Sequence, residues 1–275
     1  MVLVITLILL LQRLTSDQMS RHSVSPQVSP HADWVVNLFF AICVLALNFS
    51  PALAGTFNVS PVKINLSKNS STAIIQVSNA GSSDTTIQLQ TMRWIQDGEE
   101  DKLEPTREII ATPQIFSIKA GTTQLIRVGM VIRPDTINEK AYRLILDEIP
   151  SPPEPGFKGL QVALKITLPI FVQSSSKSVP ELDFSWFQTP DKKIRVSIAN
   201  HGSAHAQILR TKISDESDEK SVFFNQEKSL YILPGQSRYL DFNPIDQEIT
   251  PIKNFLIKTE TSTGDKVFHA KYRNP

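Results

Sequence analysis

From Phe57 onward, apolar and polar residues alternate in short runs broken by Gly, Pro, Asn, Ser and Asp. The longest run is Gly159–Gln173 (GLQVALKITLPIFVQ), where Leu160, Val162, Leu164, Ile166, Leu168 and Ile170 alternate with Gln161, Ala163, Lys165, Thr167 and Pro169. A strand sends successive side chains to opposite faces, so this run predicts one long strand with a continuous apolar row. Pro169 lacks the N–H that a ladder needs, which places the far end of the strand at an edge or bulge. An edge strand with an apolar row invites pairing with another chain. The row is either ordinary core or a surface made to be covered by a partner.

The same period predicts further strands at Val59–Leu66, Ala73–Asn79, Thr86–Ile95, Ile109–Ile118, Thr123–Ile132 and Ala141–Ile149. Pro61 makes the first an edge strand, and Pro113 marks a point where the fourth switches sheets. Gln96–Lys102 reads as an acidic turn around Gly98, and Pro150–Gly156 as a proline-rich loop. Ser174–Val179 (SSSKSV) is small and polar, a hinge. Beyond it strands recur at Glu181–Phe187, Lys193–Asn200, Ala206–Ile213, Lys228–Leu233, Ser237–Phe242, Ile252–Thr259 and Lys266–Tyr272. Turns at Asn200-His201-Gly202-Ser203, Pro234-Gly235 and Ser262-Thr263-Gly264-Asp265 separate them. No helical period of any length is present, so the expected class is all-β, with two β-sandwiches.

Ahead of the sandwiches, Trp34–Phe49 is apolar and is followed by Ala52-Leu53-Ala54, a cleavage pattern that places the mature start at Gly55. Val2–Leu11 is too short to span a bilayer comfortably, and Met19 is an alternative start that would leave residues 1–18 untranslated. A membrane-anchored precursor is the competing reading. The expected organisation is therefore a targeting region at 1–54, a first domain at 55–173, a hinge at 174–179 and a second domain at 180–275. Cys43, the one cysteine, falls in the apolar targeting run, so the exported chain lacks cysteine and a bacterial periplasm is the expected compartment. Lys+Arg at 28 against Asp+Glu at 27 leaves a net charge of +1, with no field pointing to nucleic acid or an anionic membrane.

Catalytic constellations are missing from the pattern. There is no phosphate loop, no G-x-S-x-G elbow and no H-E-x-x-H. His201 and His205 have metal-like spacing without further ligands nearby, so no metal, cofactor, small-molecule substrate or enzymatic activity is expected. Trp94, Trp186 and Phe187 would form a stacking platform in a carbohydrate-binding module, an alternative to core packing. Lys63, Arg143 and Lys165 sit on or beside apolar strands, and Glu148 closes a strand, where it is either solvated or half of an interdomain ion pair.

Several stretches together carry a family resemblance: Val77-Ser78-Asn79, Ile110-Ala111-Thr112-Pro113, Asp147-Glu148-Ile149-Pro150, Leu160-Gln161-Val162-Ala163-Leu164 and Leu233-Pro234-Gly235. The chain resembles the PapD-like periplasmic pilus-assembly chaperones over nearly its whole mature length. Ser60-Pro61-Val62-Lys63, Tyr142-Arg143 and Leu168-Pro169 look more like the archaic branch of that family. The resemblance implies two immunoglobulin-like domains in a boomerang, with pilus subunits and an outer-membrane usher as partners. It implies that Leu160, Val162, Leu164 and Ile166 belong to a strand lent to a subunit that lacks its own last strand. It also implies a basic anchor for the subunit's C-terminal carboxylate. Lys63 falls at the family's first-strand Arg, but the family's last-strand Lys falls at Pro169, so Arg143 is the preferred substitute and Lys165 the second. Glu148 aligns with the family's interdomain acid, whose usual basic partner falls at Gln173.

Overall fold

The computed structural model describes residues 57–131, 137–153, 155–156, 159–174, 178–242 and 254–273. The predicted targeting region, with its cleavage site and Cys43, lies outside the described residues, as do the three central residues of the predicted hinge, 175–177. The first half of the fold contains β1 (Phe57–Ser60), β2 (Ile64–Leu66), β3 (Thr72–Asn79), β4 (Thr85–Asp97) and β5 (Glu100–Pro105). It continues with β6 (Ile109–Thr112), β7 (Ile115–Ile118), β8 (Thr123–Met130), β9 (Lys140–Ile149) and β10 (Lys165–Val172). One sheet has the order β1-β3-β8-β6; the other has the order β2-β10-β9-β4-β5, with β7 also paired to β4. Ile75, Val77, Ile126 and Val128 of the first sheet share a core with Ile64, Leu144, Leu168 and Ile170 of the second.

Two predicted strands are each split by a proline. Pro61 separates β1 from β2, and Pro113 separates β6 from β7, and in both cases the halves join opposite sheets. A residue that cannot donate to a ladder is tolerated where a chain leaves one sheet for the other.

The second half comprises β11 (Leu182–Gln188), β12 (Ile194–Asn200), β13 (Ala206–Asp215), β14 (Val222–Ile232), β15 (Ser237–Phe242), β16 (Phe255–Thr261) and β17 (Gly264–Tyr272). They pair in the order β14-β13-β16-β17-β11-β12-β15, and the ladder folds over its own core of Phe184, Trp186, Val196, Ile208, Phe255 and Ile257. The described residues contain no helix.

The two sandwiches share one structural corner. Asn79 ends β3 and Asn200 ends β12, each opening an Asn-x-Gly-Ser turn. The amide of Asn79 donates to the carbonyls of Ser83 and Ile118, and that of Asn200 to those of Ala204 and Ile232. Each side-chain oxygen accepts the N–H of the glycine two residues on. Each backbone carbonyl accepts a second glycine N–H, from Gly121 at 2.8 Å and Gly235 at 2.9 Å. Both asparagines are buried, so every polar group needs a partner, and the corner supplies one. Gly202 is required by contact, since a Cβ there would lie 2.3 Å from the Val179 carbonyl oxygen.

Three expectations are corrected by the fold. The run Gly159–Gln173 forms a strand only from Lys165, because its neighbour β9 ends at Ile149 and is followed by Pro150, which has no N–H to offer. The far end of the strand is not an edge: β9 flanks the whole of β10 and β2 covers Ile170–Val172, so the side away from β9 is open over Lys165–Pro169, with Pro169 at its limit. The predicted acidic turn is the start of a hairpin whose second arm, β5, is exposed at every position.

Candidate functional site

The core row of β10 continues past the end of the strand. Leu168 and Ile170 are buried in the first sandwich, and Ile166 packs against the same cluster. Going toward the N-terminus, Leu164 is half-buried, whereas Val162 and Leu160 are 67% and 87% exposed. The one ladder bond beyond Lys165 runs from the Glu148 N–H to the Leu164 carbonyl at 2.9 Å. The Leu164 N–H is then taken by the Glu148 carboxylate at 2.9 Å, whose other oxygen accepts the Thr85 hydroxyl at 3.0 Å. Glu148 therefore caps the departing segment inside the first sandwich, which corrects its expected place at the interdomain contact. No backbone partner for residues 160–163 is present among the described residues.

The opposite face of β10 meets the second sandwich. Phe171 is fully buried, stacked on the His205 ring at 3.5 Å between centroids, and grouped with Trp94, Tyr231 and Leu233. His205 is held by Glu139, its Nδ1 lying 2.5 Å from Oε1 and its backbone N–H 3.1 Å from the same oxygen. His205 is thus packed and paired, and its spacing from His201 has a structural explanation. On the other flank Gln96, buried, donates to the Tyr231 carbonyl at 3.0 Å and accepts the Leu233 N–H at 2.9 Å. Arg238 reaches from β15 to the Asp101 carboxylate and, at 2.7 Å, to the Gly98 carbonyl. The contact between sandwiches is carried by the β4–β5 hairpin, the residues leading into β9 and Phe171 at the end of β10. Sequence reasoning passed over Gln96, Asp101, Glu139 and Arg238, since nothing in their local pattern marks a long-range partner.

The three expected anchor cations are dispersed. Lys165 is exposed and ion-paired with Asp147 at 3.2 Å, across the β9–β10 register. Lys63 lines a cavity of about 430 Å3 together with Gln173 and His205. Arg143 lies directly opposite Pro169 in the ladder and lines a separate cavity of about 330 Å3 with Asp101, Lys228 and Tyr231. Its guanidinium carbon sits 3.5 Å from the centre of the Trp94 ring and 5.7 Å from that of Tyr231. Stacking on an aromatic face leaves the N–H edges of a guanidinium free to bond. Burial lowers the Arg143 pKa from its ordinary value, with Asp101 and Tyr231 opposing the shift. Loss of hydration penalises the cation, so a carboxylate arriving there would offset a cost already present.

The alternative aromatic platform does not form. Trp94 and Trp186 are 3% and 1% exposed, each committed to a core.

Residues 56–176 match the family model described as pili and flagellar-assembly chaperone, PapD N-terminal domain. The fold is similar to that in the CsuC–CsuE chaperone–tip adhesion subunit complex from archaic chaperone-usher Csu pili of Acinetobacter baumannii. The TM-score is 0.61 at 20% identity, covering 80% of this chain and all of that one. The Salmonella enterica SafA pilin–SafB chaperone complex is similar with a TM-score of 0.51 at 14% identity, over 78% of this chain and 96% of that one. The Pseudomonas aeruginosa CupB2 chaperone is similar with a TM-score of 0.50 at 11% identity, over 78% of this chain and all of that one. No curated protein sequence matches the chain significantly. Both sandwiches are immunoglobulin-like in fold.

Proposed function

We propose, for a chain that belongs through residues 56–176 to the PapD-like pilus-assembly chaperones, that it captures pilus subunits in the periplasm by lending them a strand. The observation that carries this reading is the apolar row of β10, which leaves the core at half-buried Leu164 and runs on, exposed and without a backbone partner among the described residues, through Val162 and Leu160. A subunit with an open groove would pair with this segment main chain to main chain, while alternate side chains fill the groove. Each such side chain, once buried, contributes about 1.5–3 kcal/mol before ordering costs. Several in one groove would hold an incomplete subunit without ATP, and exchange at an outer-membrane usher would release it. Ile166 sits where the row enters the chaperone's own core and would join the two hydrophobic interiors.

Arg143 is the cation we assign to the subunit's C-terminal carboxylate. It lies across the ladder from Pro169, so a charge on β9 stands beside the position where the family has a lysine on the next strand. Its stacked, desolvated guanidinium offers two N–H groups in the geometry that a carboxylate accepts. Lys165 is engaged with Asp147, and Lys63 opens into a different cavity.

The test is periplasmic co-expression with candidate subunits, comparing wild type with Leu164→Glu and Arg143→Ala. One-to-one complexes that are lost in both variants are the expected result. Retention in Arg143→Ala alone would remove the assigned anchor and keep strand donation. If wild type retains no subunit at all, the chaperone reading fails.

A further inference from the structure

The segment that leaves the core still runs beside the chain that follows β9. Lys165 faces Asp147 in the ladder, and the Glu148 N–H reaches the Leu164 carbonyl at 2.9 Å. Carried forward at the same register, Val162 faces Pro150, Gln161 faces Ser151 and Leu160 faces Pro152. The Gln161 side chain does meet the Ser151 carbonyl, at 2.8 Å, so the two chains stay within reach where the ladder has stopped. In an antiparallel pair only alternate residues turn their N–H and C=O toward the neighbouring strand. The bond from Glu148 to Leu164 gives the even-numbered residues of both chains that role, and the odd-numbered Gln173 turns its N–H to Leu66 of β2 instead. The next donors due to the segment are therefore at positions 150 and 152. Both are proline, and neither has an N–H. The exposed apolar residues Val162 and Leu160 are the ones that face them.

We propose that Pro150 and Pro152 keep the lent strand from pairing within its own chain. They deny the β9–β10 hairpin its next two hydrogen-bonded pairs and so hold the backbone of Leu160–Ala163 for a partner. The proposal rests on strand lending, since only a segment needed elsewhere benefits from staying unpaired. The competing pairing is intramolecular and always at hand, whereas a subunit must be met by diffusion. A self-paired segment would have to be peeled away first, and apparent affinity falls with the fraction of chains in the competent state. Pro153 has the odd parity, so the N–H it lacks would point away from the segment.

Two variants separate this role from the stiffness of a proline-rich loop. The double variant Pro150→Ala, Pro152→Ala restores both donors, and Pro153→Ala relaxes the same loop without offering one to the segment. Amide exchange at Val162 and Leu160 is read in the free chains, and affinity is read by competition with wild type for one co-expressed subunit. In the double variant, exchange should slow about tenfold and affinity fall about tenfold, as one or two net hydrogen bonds of ordinary strength would give. Pro153→Ala should match wild type in both. Unchanged exchange in the double variant would overturn the proposal, as would slowed exchange with unchanged affinity. Equal losses of affinity in the double variant and Pro153→Ala would overturn it too, in favour of loop stiffness. Exchange needs no partner: slowed exchange in the double variant, with no subunit held by wild type, would keep the proline block and fail strand lending.

Discussion

Two halves of one alternating stretch differ in almost every physical respect. Lys165–Val172 is a strand with β9 on one side and β2 along part of the other, and its row of Leu168 and Ile170 is sealed in the core. Gly159–Ala163 keeps the same period but has no ladder among the described residues, and Leu160 and Val162 lie open. The pattern of side chains is continuous across the boundary, and what changes is the supply of backbone partners, which ends where Ile149 meets Pro150. Alternation thus records that a face must be covered without recording by what. A covered half and an uncovered half in one run are the expected signature of a strand shared with another chain.

The largest effect should separate the halves by stability. Ile170→Ala or Leu168→Ala should cost about 2–5 kcal/mol, the usual range for a truncated core side chain. Leu160→Ala and Val162→Ala should stay within about 0.5 kcal/mol. Urea titrations of the four variants measure both, and a large loss at Val162 would mean the exposed half is packed after all. Next comes the corner that the two sandwiches share. Asn200→Ala removes the side-chain donor to the carbonyls of Ala204 and Ile232, at about 1–3 kcal/mol in all, and Asn79→Ala should act alike in the first sandwich. Unequal losses would show that one corner relaxes or admits water.

A smaller effect is expected at the boundary itself. Glu148→Gln removes a charged acceptor from the Leu164 N–H and the Thr85 hydroxyl. It should cost about 1 kcal/mol and speed amide exchange at Leu164 without affecting Ile170. The least effect concerns pH. The Tyr142 hydroxyl, helped by Lys140, holds the Glu108 carboxyl below its ordinary value, although partial burial opposes the shift. A depressed carboxyl stabilises the fold above its unfolded pKa, and this contribution is lost as pH falls through the folded value. Stability of wild type should therefore fall more than that of Tyr142→Phe between about pH 5 and the acid limit, as read by parallel melts.

Much of this was legible in the chain. Period-two runs placed most strands, because a sheet with one face on a core imposes that period on any sequence that folds into it. Pro113 marked a sheet switch, and the IATP and LQVAL stretches pointed to the family. β5 was illegible because Glu100–Pro105 has no buried face to write an alternation. Glu148 was misplaced because its partner, the Leu164 N–H, becomes free only where the ladder stops, which register alone decides. Arg143 was visible as a cation on an apolar strand, but the Trp94 ring beneath it was not, since Trp94 and Arg143 meet only once β4 pairs with β9. Contacts such as Gln96 with Leu233 bridge more than a hundred residues and leave no local trace.

Amide hydrogen exchange, followed residue by residue in the chaperone alone and in a purified complex with a subunit, tests strand lending most directly. The account predicts that the amides of Gln161, Val162 and Ala163 exchange at near-unfolded rates in the free chain and become strongly protected in the complex. Ile170–Val172 should be protected in both. Protection of Gln161–Ala163 already in the free chain, or no gain on binding, would contradict it.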